Sequence, residues 1–353
     1  MERKLYILFT LGIVHAGGGQ AYVAGKVNYL KSTGRKVLVF SCYPGEVMLP
    51  ELKEFEKYRI ADIEDVPSYF SARKRKSIAD KILGEVAAAG GDKFGKIVLE
   101  STTPDLAKWG EYIAEKLNAK HVAYIIGERL YVGESFSFLN FKLNRRELAS
   151  IHPDSLKRMF RGHRELSDEE SYSISAGAFM SVSAEEFEHL QLDGLPESDY
   201  NISYFGRDIK MPIGVVKEVF EFAELHKDKT INFIILGYDA RRRIDIDVLF
   251  QRDKPENLHL VYLKAVQPPP KSFFKKSDVV LASAGAALLA FSEHCMTLSI
   301  DVETKKVIGI VGIHTMSTLY SKENIPVALP QFLEEILIEK KYQVPEEAVR
   351  RYE

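Results

Sequence analysis

The chain has 353 residues, 46% of them hydrophobic and 28% charged, with a formal net charge of −2. That length exceeds the usual single domain, so two are expected, and the near-neutral balance excludes the electrostatic footprint of a nucleic-acid-binding protein. Cys42 and Cys295 match no paired metal-ligand spacing and do not suggest a disulfide scaffold.

The first predicted element is a buried strand over Leu5–Val14. The segment MERKLYILFTLGIV superficially resembles a signal peptide, but no small-x-small cleavage site precedes a polar mature sequence. The run empties into Ala16-Gly17-Gly18-Gly19-Gln20, and a helical pattern follows in which Val23, Val27 and Leu30 recur at i, i+4 and i+7. Gly34 closes that helix as a natural C′ residue. Lys36–Cys42 reads as a second buried strand. The basic cluster Arg73–Lys76 reads as a solvated face. Lys96–Ser101 is a third strand, Pro104–Asn118 a helix and Lys120–Glu128 a fourth strand. Strand and helix alternating with short connections signal parallel βαβ units and a sheet covered on both faces.

From Arg129 to about Gly194 the pattern loosens into an aromatic and basic elaboration with short helices. Within it Lys142–Leu148 suits a phosphate-bearing acceptor, or equally a solvent-facing helix with Arg–Glu pairing. A linker is expected near Leu195–Tyr200, after which the alternation restarts. Strands are expected at Asn201–Arg207, Ile231–Gly237, Leu258–Leu263, within Asp278–Gly285, at Thr297–Asp301 and at Val307–Gly312. Helices are expected over Ile213–His226, from Ala286 onward, and finally over Leu329–Tyr342. The basic run Arg241–Arg243 again reads as solvated. No stretch reaches the roughly 18 continuous apolar residues of a membrane span, so a soluble, cytoplasmic protein is expected.

In open parallel sheets ligands bind beyond the carboxyl ends of the strands. The loop Gly17-Gly18-Gly19-Gln20 is therefore well placed for one: without side chains its N–H groups can approach a phosphate or a sugar, aided by the helix dipole. A tight strand-to-helix turn would need the same glycines. The dinucleotide fingerprint fails, because Tyr22 fills the third small position and the second strand ends in Ser41-Cys42 rather than an acid. No P-loop and no G-x-S-x-G elbow occurs. A second turn, Ala282–Leu289, starts an apolar helix at Ser283-Ala284-Gly285-Ala286, an anion site suited to a diphosphate or a close helix–strand contact. The stretch YFGRDIK ends a strand in Gly206 and supplies Arg207 and Lys210, which could neutralise a leaving diphosphate or form a solvated surface group with Asp208.

Taken together, the GGGQ turn, ISYFGRDIK, INFIILG and DVVLASAGAALLAF…LSID resemble glycosyltransferases of the GT-B fold, closest to the nucleotide-sugar enzymes that build cell-surface polysaccharides and glycolipids. The resemblance implies an α/β architecture of two Rossmann-like domains facing each other across a cleft. Residues 1–195 would be the acceptor-side domain, 200–326 the nucleotide-sugar domain, and 327–353 a terminal segment whose helix packs back on the first domain. It implies a nucleotide-sugar donor, a glycan or lipid-linked acceptor with peripheral contact at the inner face of the membrane, and neither cofactor nor divalent metal. By resemblance Gly18 and Gly19 match the first-loop glycines, and Arg207 and Lys210 the cations that grip the donor diphosphate. Ser283, Gly285 and Ala286 match the small-residue turn that meets the phosphates, and Gly237 ends the strand bordering the base. Many retaining members carry two glutamates eight positions apart; here Glu293 is the only acid in the matching segment, and Phe291 stands where some inverting members place a ribose-binding glutamate.

Sugar transfer needs a deprotonated acceptor hydroxyl, a stabilised leaving diphosphate, or both. His15, Glu100 and Glu128 are the candidate catalytic residues, each at or near a strand end of the first domain. Each has an ordinary structural alternative, a backbone-paired histidine or a polar strand terminus. The competing readings are a nucleotide-sugar-binding Rossmann protein or partner subunit that transfers nothing, and a sugar-nucleotide epimerase on the same fold. A nicotinamide oxidoreductase is disfavoured.

Overall fold

The computed structural model describes residues 4–14, 17–127, 134–174, 192–206, 213–238, 254–264, 266, 268–321 and 328–350. The chain divides into two compact units, Met1–Phe179 and Met180–Glu353.

The first unit is built on a five-stranded sheet, β1 (Lys4–Thr10), β2 (Lys36–Ser41), β3 (Lys96–Ser101), β4 (Lys120–Ile125) and β5 (Leu148–Ser150), in the order β2-β1-β3-β4-β5. Every pairing is parallel. Its helices are α1 (Gly18–Ser32), α2 (Ala72–Ala88), α3 (Pro104–Leu117), α4 (Glu134–Asn144) and α5 (Pro153–Phe160). Side chains alternate across a strand, so each strand feeds two cores. Leu5, Ile7 and Phe9 of β1 pack with Ile78 and Ile82 of α2 and with Trp109 and Ile113 of α3. Leu8 packs on the other face with Val23, Val27 and Leu30 of α1. Strands buried on both faces read as continuous apolar runs. The cluster Arg73–Lys76 opens α2 toward solvent, where Lys74 pairs with Asp62 and Lys76 with Asp80.

Two boundaries differ from expectation. β1 ends at Thr10, because the Leu11 carbonyl accepts the N–H groups of Cys42 and Tyr43 and draws the chain off the sheet. The loosely patterned stretch after Arg129 contains an edge strand, β5, of only three residues, too short to show a period.

The second unit carries six strands, β6 (Tyr200–Phe205), β7 (Ile231–Tyr238), β8 (Leu258–Lys264), β9 (Val279–Ala282), β10 (Thr297–Ile300) and β11 (Val307–Ile310), in the order β11-β10-β9-β6-β7-β8. Its helices are α6 (Ile213–Leu225), α7 (Lys271–Lys275), α8 (Ala284–Ser292), α9 (Leu329–Leu333), which runs on into a π-helical turn over Glu334–Ile338, and α10 (Glu346–Val349). All pairings are parallel except β10–β11. The Asp301–Lys306 link between those two is too short for a crossover, so the chain must reverse.

The stretch foreseen as a linker, Leu195–Tyr200, is bound into the second unit. The Asn232 amide donates to the Pro196 carbonyl at 2.8 Å and to the Ser198 hydroxyl at 2.9 Å, and Leu192 and Leu195 join that unit's core. In the terminal segment, the apolar side chains Leu329, Phe332, Leu333, Ile336 and Leu337 are buried in the second unit's core with Val216, Val219 and Phe220 of α6.

Topology singles out one position in each sheet. The first chain runs from β1 out to β2 and returns past it to β3, so the strand order reverses between β1 and β3. In the second the reversal falls between β6 and β9. Such switch points, at the carboxyl ends of the strands, are where open α/β sheets take ligands.

Candidate functional site

The glycine turn of the first unit lies at its switch point. Gly17 is the N-cap of α1 in an extended conformation, and no side chain caps the helix or places an acid in its first turn. The leading N–H groups of a helix have no intrahelical acceptor, so those of Gly18, Gly19 and Gln20 are presented outward. The loop is braced from below: the Gln20 amide donates to the Gly12 carbonyl at 3.2 Å, and Ala21 N–H to the Gly17 carbonyl at 2.9 Å. A Cβ on Gly17 would lie 2.9 Å from the Gln20 side chain and one on Gly19 3.1 Å from Ile126, whereas one on Gly18 would meet nothing within 4 Å. Packing bears on Gly19, while at Gly17 a Cβ would meet only the movable end of the Gln20 side chain and at Gly18 nothing. At the neighbouring strand end α3 is closed off, Thr103 accepting from the Leu106 N–H and Asp105 standing in the first turn.

Glu100, one of the expected catalytic residues, is already engaged. It lies on β3 beneath α1, where it accepts from the Tyr22 hydroxyl at 2.6 Å and forms an ion pair with Lys26, which in turn donates to the Tyr22 oxygen at 2.9 Å. Burial and the neighbouring Glu100 carboxylate push the Tyr22 phenol well above its ordinary range, so it stays protonated as a donor. This group fastens α1 to the sheet. His15 and Glu128 fall outside the described residues.

The stretch Lys142–Leu148 serves neither of the two roles foreseen for it in full. Lys142 is fully buried and donates to Glu111 at 2.7 Å, to the His121 carbonyl at 3.0 Å and to Glu147. Arg145 does pair with Glu147, at 3.0 Å. His121 completes the cluster, 3.0 Å from Glu111 through Nδ1 and 3.0 Å from the Ser101 hydroxyl through Nε2. Although serine, histidine and glutamate stand in relay order, Ser101 is 0% exposed, so the cluster joins β3, β4, α3 and α4 and reaches no substrate. Sequence reading missed it because its members are scattered from residue 101 to 147.

The second unit's turn sits at the β6–β9 switch point. β9 ends at Ala282, Ser283 is the extended N-cap of α8, and again neither a capping side chain nor a first-turn acid is present. Ala284 has φ +54°, a left-handed conformation unusual for a residue with a Cβ, and its N–H donates to the Thr318 carbonyl at 2.6 Å. Beyond it the Gly285 and Ala286 N–H groups have no intrahelical acceptor and face out of the helix end. Register places Ala282 beside Phe205, so Gly206, the residue after β6, adjoins this turn. Arg207 and Lys210, just past Gly206, lie outside the described residues.

Gly206 N–H donates to the Leu236 carbonyl at 3.3 Å, which sets Gly237 beside it. Gly237 has φ +114° at a register shift between β7 and β8, a bulge that glycine alone accommodates easily. Ser283, Gly285, Ala286 and Gly237 thus lie along the carboxyl ends of the strands of one sheet. Glu293 is not among them. It caps the other end of α8, about 13 Å away along a helix of that length, and pairs with Lys271 at 3.5 Å. Phe291 is fully buried against Val311 and Val349.

Among the described residues no three His, Cys, Asp or Glu side chains gather as metal ligands, and no helix is long and apolar enough to cross a membrane.

Two Rossmann-like units in tandem, each with an uncapped helix at its switch point, define the class of fold. The chain has the fold of the GT-B glycosyltransferases. It is similar over 99% of its length to a glycosyltransferase from Rickettsia africae ESF-5, with a TM-score of 0.64, 14% identity and 93% of that chain covered. Sucrose-phosphate synthase from Thermosynechococcus elongatus matches with a TM-score of 0.61 at 14% identity, over 99% of this chain and 95% of that one. Anabaena HepE, solved in complex with UDP-glucose, matches with 0.64 at 11% identity, also over 99% and 95%. No family model and no curated protein matches the sequence.

Proposed function

We propose that the protein is a glycosyltransferase, moving a sugar from a nucleotide-sugar donor to a glycan or lipid-linked acceptor in the assembly of a bacterial surface polysaccharide. The observation that carries this reading is the uncapped, glycine-containing turn at the β6–β9 switch point of a chain that has the GT-B fold from end to end.

In this reading the donor diphosphate lies on the Gly285 and Ala286 amides, with Arg207 and Lys210 supplying positive charge and Gly237 bordering the base. An acceptor hydroxyl attacks the anomeric carbon while the bond from that carbon to the diphosphate oxygen breaks. The charge that develops on the departing oxygen is met by amides and cations already in place, which is the role otherwise taken by a metal ion. The reading therefore requires no divalent cation. The first unit's Gly17–Gln20 turn takes the acceptor or its phosphate. His15 or Glu128 accepts the acceptor proton, ahead of Glu100, whose carboxylate already serves Lys26 and Tyr22. Buried Phe291 and distant Glu293 also support a second reading, a nucleotide-sugar-binding partner subunit that transfers nothing.

A thermal-shift panel of nucleoside diphosphates and nucleotide-sugars in EDTA tests the donor site. A ligand at 100 times its Kd stabilises by about 2.7 kcal/mol. The expected result is a metal-independent shift with one base, lost in Arg207→Ala; a shift with NAD alone would contradict the reading. Binding without any turnover would favour the partner subunit.

A further inference from the structure

The conformation of the α8 turn is imposed from outside the helix. Alanine enters the left-handed region only when its surroundings hold it there, and what holds Ala284 is the Thr318 carbonyl, 2.6 Å from its N–H. Thr318 belongs to a strap, residues 317–321, that runs past the end of β10. The strap is tied down by Asp301, the residue immediately after β10 and 2% exposed. One Asp301 oxygen accepts the N–H groups of Glu303 and Thr304, each at 2.7 Å, and the other accepts Ser321 N–H, also at 2.7 Å. Val302 N–H donates to the Leu319 carbonyl at 2.9 Å, closing the tie.

A second observation points to a ligand at the same turn. Leu298 and Ile300 enter the core on one face of β10, so Ser299 faces the other, the side on which α8 packs. Its register partner is Ala282, immediately before the turn. Ser299 is 0% exposed and its hydroxyl has no hydrogen-bond partner among the described residues. Buried hydroxyls are nearly always paired. One left open beneath an uncapped helix end has a partner to gain when an anion and its water arrive.

We propose that Asp301 is a positioning residue for the diphosphate: it anchors the strap whose Thr318 carbonyl holds Ala284 left-handed, and that conformation aims the Gly285 and Ala286 amides at the anion. The proposal rests on the donor-site reading above and adds a component that no glycine or basic motif marks. It also makes a prediction of unusual sign. Neutralising a carboxylate near an anion site should, by Coulomb attraction alone, tighten anion binding. If Asp301 acts by positioning, neutralising it loosens the strap and weakens binding.

The test is calorimetric titration with UDP, GDP, ADP, CDP and dTDP, and with the nucleoside matching whichever binds. Asp301→Asn is expected to weaken diphosphate binding about tenfold, the size of one well-aimed hydrogen bond to a charged group, and to leave nucleoside binding unchanged. Ser321→Pro, which deletes one strap amide and spares the other two Asp301 contacts, should do the same. Adding Ala284→Gly to Asp301→Asn should recover most of the loss, because glycine reaches the left-handed region unaided. Equal or tighter diphosphate binding by Asp301→Asn overturns the proposal, as does a parallel loss of nucleoside affinity. If the wild-type protein binds none of the diphosphates, the donor-site reading fails and the proposal with it. If it binds one and both single variants bind as well, the proposal alone fails.

Discussion

At the scale of single residues, the Lys142–Glu111–His121–Ser101 cluster makes the first unit sensitive to acid. The hydrogen bond from His121, followed by those from Lys142, holds the Glu111 carboxyl down to about 2 against the opposing effect of burial. Burial pushes the His121 imidazole below its ordinary value of 6.5. It is therefore neutral, with Nδ1–H donating to Glu111 and Nε2 accepting from the Ser101 hydroxyl. Both groups have depressed folded-state values, so the unfolded chain takes up the protons first and stability falls as pH falls. His121 begins to cost stability once pH drops below about 6.5, and Glu111 adds to the loss from its ordinary 4.5 down to about 2. Urea unfolding between pH 8 and pH 3 should show a decline that starts between pH 7 and 6 and steepens below pH 5. His121→Gln should lack the upper leg, and a wild-type profile flat from pH 7 to 5 would refute the assignment. None of this is legible in the sequence. Lys142 stands in KLNRREL like any surface lysine, and only the fold brings Glu111, 31 positions earlier, to its ammonium.

Elements were far easier to read than contacts. Parallel strands covered on both faces leave unbroken apolar runs, so β1 to β4 and β6 to β10 are legible in place, within a few residues at their ends, and so is the antiparallel β11. β5 was not, because three residues on a sheet edge carry no period. The last helix, expected as one rod from Leu329 to Tyr342, gives way to a π turn at Glu334–Ile338, and Lys340 follows with φ +50°. The turns carry the one prediction that separates ligand from packing at α1. Gly18 has an ordinary backbone and open space where a Cβ would stand, so Gly18→Ala should leave the melting temperature unchanged while weakening binding of whatever approaches the helix end. Gly19→Ala, which would press on Ile126 at 3.1 Å, should destabilise by roughly 1 kcal/mol. If Gly18→Ala alters neither stability nor ligand binding, the triple glycine is a tight connection and nothing more.

On the scale of the whole molecule, two units with parallel sheets could be inferred from alternation alone. The border between them could not: Leu195–Tyr200 is linker-like in composition yet hydrogen-bonded into the second unit. The absence of the acids found in the resembling family is legible in the sequence; the structure adds that Phe291 is buried and that Glu293 caps the carboxyl end of its helix. The proposed donor site consists, among the described residues, mainly of backbone amides, which side-chain motifs describe poorly. Backbone amides can be observed directly by hydrogen exchange, with and without the nucleoside diphosphate that binds, in EDTA. Slowed exchange is expected in peptides spanning residues 283–290 and 315–321, with the same protection when magnesium is added. Protection confined to residues 17–24, or binding that appears only with the metal, would contradict the donor-site reading.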